Sequence, residues 1–285
     1  MTVKITSFHK FIFIVFLISV AFIIQFFPIK SVKAKEEEKT KLPVIMYHQV
    51  TKRSSKVRKY AVSYDQLEED LIHIKEKGYT AITLNDLLKC IEGKEKLPKK
   101  PIIITFDDGF NSTKEYVLEL MQKYNMKCVV SVVGSFVDIT EQQNDHNVNY
   151  AYLSWDEIDY LVKSNYIEIQ NHSYFLHKNE KRNGASQCAG EDFDTYKLTL
   201  SEDLQKMQDK MREETGYTPT FFTYPFGSIC KNSTQILKEL GFKGALTCEE
   251  IVNEVDFENT DWLFRIGRFN RSGNTTTDAF FKKIE

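Results

Sequence analysis

From Leu42 onward, short apolar and β-branched runs alternate with longer segments whose apolar residues recur at helical spacing. That alternation constrains the fold more than any other feature. The strand-like runs are "PVIMY", "TAITL", "PIIITF", "KCVVSVV", "YIEIQN", "TFFT", "FKGALTC" and "WLFRIGRF". Between them lie "YDQLEEDLIHIKEKGY", with Ser63 as N-cap and Gly78 as stop, and "NDLLKCIEG", with Asn85 as cap. "STKEYVLELMQKYN" and "SWDEIDYLVKSN" follow, the second capped by Ser154; then come "TLSEDLQKMQDKMREETG" and "STQILKELG", the last ending at Gly241. Strand-helix alternation predicts parallel strands and an α/β architecture, as a barrel or an open sheet. Two polar stretches, 134–152 and 178–198, break the alternation and read as long loops, either lids or surface insertions.

The chain has 285 residues and a net charge of −2 with acids and bases interspersed, so it offers no electrostatic case for nucleic acid. No internal repeat is visible, which argues against a solenoid or propeller. Five scattered cysteines give neither a disulfide framework nor a CxxC zinc knuckle. The N-terminus differs from the rest. Lysines precede an apolar run from Phe11 to Phe27, and Val32 and Ala34 stand where a cleavage site would need small residues. Residues 1–34 therefore read as a hydrophobic helix, either a secretory signal or a membrane anchor, and 35–41 as a charged linker. Either reading places the remaining chain, residues 42–285 as one domain, outside the cytoplasmic membrane.

In parallel α/β folds, chemistry collects where loops leave the carboxyl ends of strands. His48 follows "PVIMY", Asp107 and Asp108 follow "IIITF", His172 and then His177 follow "IEIQN", and "TYPFG" follows "FF". His172 and His177 are five residues apart, so no regular element puts both on one face; a turn after His172 would. Two histidines and a carboxylate with an open position are a usual way to hold a catalytic metal. A cation would also let two adjacent aspartates stay ionised, one on the metal and the other as general base to a water beside it. His48 is then the candidate general acid.

"TFDDG", "NHSYFLH" and "TYPFG", in that order, resemble the NodB-homology polysaccharide deacetylases, carbohydrate esterase family 4. The resemblance runs from about Leu42 to the C-terminus. It implies a distorted (β/α)7 barrel and a divalent metal, most often Zn2+, with Co2+, Ni2+ or Mn2+ as other occupants. It also implies hydrolysis of N-acetyl groups on an amino-sugar polymer. By this resemblance Asp107 is the base, Asp108, His172 and His177 are metal ligands, and the Phe226 backbone N–H stabilises the oxyanion. Three departures point within the family. The histidine spacing is one residue longer than the commonest, Thr223 stands where an arginine usually orients the base, and "MYHQV" at the start replaces a C-terminal histidine motif. The first and third resemble circularly permuted deacetylases of poly-β-1,6-N-acetylglucosamine, with His48 as catalytic acid; the second makes Arg268 the candidate partner of Asp107. Tyr47, Tyr174, Tyr224 and Pro225, with Phe175, are expected to touch sugar or to pack around the site. Peptidoglycan- or chitin-like polymers remain in view as substrates. So does a non-catalytic cell-surface glycan-binding protein on the same fold. A glycosidase suits the sequence poorly, because its paired carboxylates flank the bond about 5–9.5 Å apart.

Overall fold

The computed structural model describes residues 39–177 and 181–285. The expected N-terminal hydrophobic helix and its expected secretory or anchor role, most of the charged linker, and positions 178–180 lie outside the described residues. Among the described residues, no helix is long and apolar enough to cross a membrane.

Among the described residues, eight parallel strands carry the fold: β1 (Val44–Tyr47), β2 (Thr80–Ala81), β3 (Pro101–Phe106), β4 (Cys128–Val132), β5 (Ile167–Asn171), β6 (Phe221–Thr223), β7 (Gly244–Leu246) and β8 (Phe269–Asn270). Seven form one sheet in the order β7-β6-β5-β4-β3-β1-β8, and β2 pairs with the start of β3. The sheet curls until its ends meet. Ile266 makes a parallel bridge to Leu246 on β7, and three residues later β8 pairs with Ile45 and Met46 on β1. One short segment thus closes the ring, so of the barrel and open sheet that the alternation allowed the chain forms the barrel, as the family resemblance implied.

Alternation along the strands sorts two apolar clusters. Ile45, Tyr47, Ile102, Ile104, Phe106, Val130 and Ile169 pack outward against helix residues such as Leu67, Leu71, Leu120, Ile158 and Met207. Val44, Ile103, Val129, Phe221 and Leu246 face the other way, into the ring, with Leu263 and Ile266. Strands buried on both faces read as nearly continuous apolar runs, which is why they were visible in the sequence. Towards the carboxyl ends the inward parity turns polar. Ser131 Oγ and Thr223 Oγ1 are 2.7 Å apart, and Thr105 stands one layer below Asp107.

Among the described residues, eight α-helices surround the barrel: α1 (Tyr64–Glu76), α2 (Leu84–Ile91), α3 (Leu118–Tyr124), α4 (Gly134–Gln143), α5 (Trp155–Lys163), α6 (Phe193–Thr215), α7 (Ser233–Glu239) and α8 (Thr277–Phe281). Ser63 and Ser154 cap α1 and α5 through capping boxes with Gln66 and Glu157. The cap of α2 is Thr83, not Asn85; Thr83 forms a capping box with Asp86, and Asn85 is already inside the helix. The stretch 134–152 is not all loop, because α4 occupies its first half. No side chain caps α4. Its first amides donate instead to the distant carbonyls of Ser173 and Tyr174, a tertiary cap with no local sequence mark. Likewise α6 begins at Phe193, capped by Asp192, and absorbs the end of the expected 178–198 loop. "WLFR" is a 3-10 turn within Thr260–Arg265 rather than strand, started by the Asn259 side chain accepting the Asp261 N–H.

Candidate metal and catalytic site

Asp107 continues the inward parity of Ile103 and Thr105, so its carboxylate enters the barrel mouth. Its partner there is Arg268, from the segment that closes the ring. Arg268 Nη1 donates to Asp107 Oδ1 at 2.7 Å and Nη2 to Oδ2 at 2.9 Å. The guanidinium is fully buried and also donates to the Thr247 carbonyl and to Thr105 Oγ1. Burial alone would raise the Asp107 pKa. The Arg268 charge and its hydrogen bonds outweigh it and hold the carboxyl well below the usual range.

Asp108 turns away from Asp107 because its own backbone is left-handed, at φ 70°. Gly109 follows at φ 72°, and a methyl group there would meet Val132 Cγ1 at 2.8 Å, so both conformation and space require glycine. Asp108 Oδ1 lies 3.3 Å from His177 Nε2 and 3.6 Å from His172 Nε2. These are not ion pairs. Burial pushes the His172 pKa down to about 3 and lowers that of His177, so both rings are neutral. His172 Nδ1 sits 2.7 Å from the Thr223 carbonyl; a carbonyl only accepts, so Nδ1 carries the proton and the Nε2 lone pair is free. Burial, with the charge of Asp107 adding, pushes Asp108 up to about 6, and its buried Oδ1 has no hydrogen-bond partner among the described residues.

Three lone-pair atoms therefore converge, all within 4.8 Å of one another. Ligands about 2.0–2.1 Å from a tetrahedral zinc ion stand about 3.3–3.4 Å apart, close to the separations from Asp108 to the two imidazoles. A divalent cation fits this donor set.

The turn between the histidines is held from three sides. Asn171 Oδ1 accepts the Ser173 N–H at 2.8 Å, and Ser173 is left-handed at φ 73°. Asp203 on α6 accepts the N–H groups of Tyr174 and Phe175 at 2.8 and 2.7 Å, and the start of α4 takes the Ser173 and Tyr174 carbonyls. Sequence reasoning missed Asp203, since a charged residue on an amphipathic helix carries no signal of its role.

His48 leaves β1 next to the point where Asp107 leaves β3, and it acts electrostatically on both aspartates. Its Nδ1 is buried without a partner among the described residues, and Tyr60 lies over its ring with centroids 4.8 Å apart. Phe226 sits across the ring. Its backbone is left-handed, at φ 59° and ψ 11°, and its exposed side chain lies against His177 with centroids 4.4 Å apart. Phe136 and Tyr152 continue this aromatic wall behind His177, and Phe110 stacks on Tyr152. Phe110 and Phe136 stand a few residues past predicted strands and Tyr60 and Tyr152 do not; sequence reasoning singled out none of the four.

Of the residues expected to touch sugar or to pack around the site, Tyr47, Tyr224 and Pro225 pack. Tyr47 is fully buried, stacks on Phe106 and donates its hydroxyl to Asp70 at 2.8 Å. Its parity with Ile45 turns it towards the helices. Tyr224 is also fully buried, with its hydroxyl 2.9 Å from Ser233 Oγ, and Pro225 is buried beside it. Tyr174 is half-buried and pinned, with its hydroxyl on Asp138 and Lys206 3.7 Å over its ring. Phe175 is exposed. All five cysteines are free thiols.

A family model for polysaccharide deacetylases matches residues 94–245. The poly-β-1,6-N-acetyl-D-glucosamine N-deacetylase of Escherichia coli K12 is 24% identical over 259 residues, covering 84% of this chain and 38% of that protein. The chain thus spans well under half the length of that relative. The enzyme of the same name from Staphylococcus aureus MSSA476 is 24% identical over 230 residues, covering 76% of this chain and 75% of its own. Among solved structures, the Streptococcus pyogenes deacetylase PplD in complex with acetate superimposes with a TM-score of 0.68 at 17% identity, covering 87% of this chain and 99% of that one. IcaB from Ammonifex degensii gives a TM-score of 0.67 at 22% identity over 83% of this chain and 94% of its own. At such identities the superpositions carry the fold alone. The family model, however, spans more than half of the sequence and includes Asp107, Asp108, His172, His177 and Phe226, so the chain belongs to the polysaccharide deacetylase family.

Proposed function

We propose that this chain is a divalent-metal-dependent N-deacetylase acting outside the cytoplasmic membrane on an amino-sugar polysaccharide, with a poly-β-1,6-N-acetylglucosamine-like polymer as substrate. The observation that carries the reading is the division of labour between two adjacent carboxylates. Asp107 is clamped by Arg268, while Asp108 faces two neutral imidazoles. The relatives named for that polymer and the early position of His48 support the substrate class. The apolar run Phe11–Phe27 supports the location.

Asp108, His172 and His177 would hold the cation, and zinc suits two imidazoles and one carboxylate. When bound, it supplies Lewis acidity at the acetyl carbonyl and makes water more acidic. Arg268 keeps Asp107 ionised and fixes its direction, so Asp107 accepts a proton from the attacking water. The clamp lowers its base strength, an arrangement that suits an acidified water. The Phe226 N–H donates to the oxyanion formed at the acetyl carbon. His48 gives a proton to the departing sugar amine, and acetate leaves. Tyr60 and Phe226, both exposed, offer faces for sugar rings on opposite sides of the mouth.

Acetate release should be assayed on poly-β-1,6-N-acetylglucosamine, chitin oligomers and peptidoglycan, with chelator and after zinc is restored. Release from the first, lost to chelator and regained with zinc, is expected. Release from none of the three, with zinc present, would remove the deacetylase reading.

A further inference from the structure

The segment 181–192 comes back to the barrel mouth and presses against the turn that carries Phe226. The contact is made by Gly184, which is buried at φ 56°. A methyl group on Gly184 would stand 2.4 Å from the Pro225 carbonyl oxygen and 3.2 Å from its carbon. The Ser228 N–H donates to the same oxygen at 3.1 Å. The Pro225 C=O and the Phe226 N–H are the two ends of one planar peptide unit. That unit is trans, since no described peptide bond is cis, so its C=O and N–H point to opposite sides. Whatever fixes the carbonyl therefore aims the amide. Phe226 also needs external support, because a left-handed backbone at a residue with a side chain costs about 1–3 kcal/mol and persists only when the surroundings impose it.

The segment is built to impose it. Arg182 pairs with Glu191 across its base, both side chains largely buried, and donates to the Ser186 carbonyl at 2.7 Å. Gln187 Nε2 donates to the Glu191 carbonyl at 2.8 Å. The Tyr196 hydroxyl on α6 donates to the Ala185 carbonyl at 2.8 Å, and Asn232 Nδ2 donates to Gln187 Oε1 at 3.2 Å.

We infer that segment 181–192 is a buttress that aims the Phe226 N–H at the reacting carbonyl, and that Gly184 is the positioning residue through which it acts. The missing side chain allows a backbone-to-backbone approach that any Cβ would open. This inference rests on the proposed role of the Phe226 amide as oxyanion donor. An oxyanion donor works in the transition state, so its misdirection lowers kcat and leaves KM and the metal in place.

The same segment contains its own control. Gly190 is also left-handed, at φ 77°, but a Cβ there would meet nothing within 4 Å. Gly184→Ala and Gly190→Ala therefore share the conformational cost and differ in the contact. The test compares kcat and KM for acetate release, zinc content and melting temperature of the unaltered full chain and both variants. Gly184→Ala is expected to lose at least about tenfold in kcat, against the roughly 10²–10³-fold that removal of a whole donor costs. Its KM should stay within about twofold and its zinc content unchanged, while Gly190→Ala keeps its kcat. A folded Gly184→Ala with the kcat of Gly190→Ala overturns the inference. If Gly184→Ala does not fold, Arg182→Gln, which frees the base of the segment without adding a Cβ at position 184, replaces it. A kcat loss with zinc retained supports the inference, and an unchanged kcat overturns it. Absence of acetate release from the unaltered protein would sink the deacetylase reading and this inference with it; release unchanged in the variants sinks the inference alone.

Discussion

Arg268 holds Asp107 by two parallel hydrogen bonds of 2.7 and 2.9 Å, across 161 residues of sequence and inside a fully buried pocket. A planar fork against a carboxylate fixes direction as well as charge, which a lysine does not reproduce. Arg268→Lys should therefore retain the fold and lose at least about tenfold in kcat, read as acetate release at saturating substrate. Arg268→Met leaves a buried carboxylate unpaired and should destabilise the protein by about 3–5 kcal/mol in denaturant titration. The sign of the pH dependence follows. Asp107 has a folded pKa below its unfolded value of about 3.9, so the pair stabilises the fold above that pH and less as acid protonates the folded carboxyl. The stability gap between the protein and Arg268→Met should be widest towards neutral pH and shrink as acid protonates the variant's unpaired, burial-raised carboxyl. A gap that widens in acid would contradict this account.

The two adjacent aspartates should fail in different ways. Asp108→Ala and His172→Ala remove a converging lone pair, so metal content by elemental analysis and activity should fall together. Asp107→Asn leaves Asp108, His172 and His177 in place. It should bind metal normally and lose turnover by about 10²-fold or more. Full acetate release by a metal-free His172→Ala would rule out the metal role.

Asp203 accepts the backbone N–H groups that shape the turn before His177. Asp203→Ala should let that turn relax and weaken zinc affinity by about 10–100-fold, as loss of supporting groups around metal ligands does. Competition titration against a zinc chelator measures it directly. Restoration of activity by excess zinc separates this outcome from a loss of fold.

Asp70 and Arg271 form a second fully buried pair, joined by the Tyr47 and Thr277 hydroxyls. The pair ties α1 to the C-terminal segment behind β1. Asp70→Ala leaves an uncompensated guanidinium and should cost about 3–5 kcal/mol, whereas Tyr47→Phe removes one hydrogen bond and should cost about 1–2 kcal/mol. Equal and small losses in both variants, by chemical denaturation, would mean that the network is not a structural tie. Tyr47→Phe should also leave KM for the polymer unchanged, since its hydroxyl faces Asp70 and not the cleft.

Much of the candidate site was legible because its residues follow strands. Asp107, Asp108, His48 and His172 each stand within two residues of a run that alternation and β-branching already mark as strand, and a parallel barrel gathers such exits at one end. Parity was also available and would have sorted the tyrosines: Tyr47 shares a face with Ile45, and that face packs against helices. Asp203, Tyr60 and the helix α4 left no comparable trace. Asp203 and Tyr60 act across long sequence separations, and α4 starts on a glycine whose cap is another loop's carbonyl.

The sequence by itself determined most of the strand-helix order, and with it a parallel α/β fold, barrel or open sheet, whose strand exits carry Asp107 and His172. Local periodicity and strand parity depend only on neighbouring residues, so they survive without coordinates. Only the tertiary structure decided which partner each aspartate takes. Arg268 reaches Asp107 because the segment Ile266–Asn270 closes the ring, and Asp108 turns to His172 and His177 because its left-handed backbone sends the second carboxylate the other way. Long-range closure and a strained dihedral at one residue are properties of the packed chain, and no local pattern encodes them.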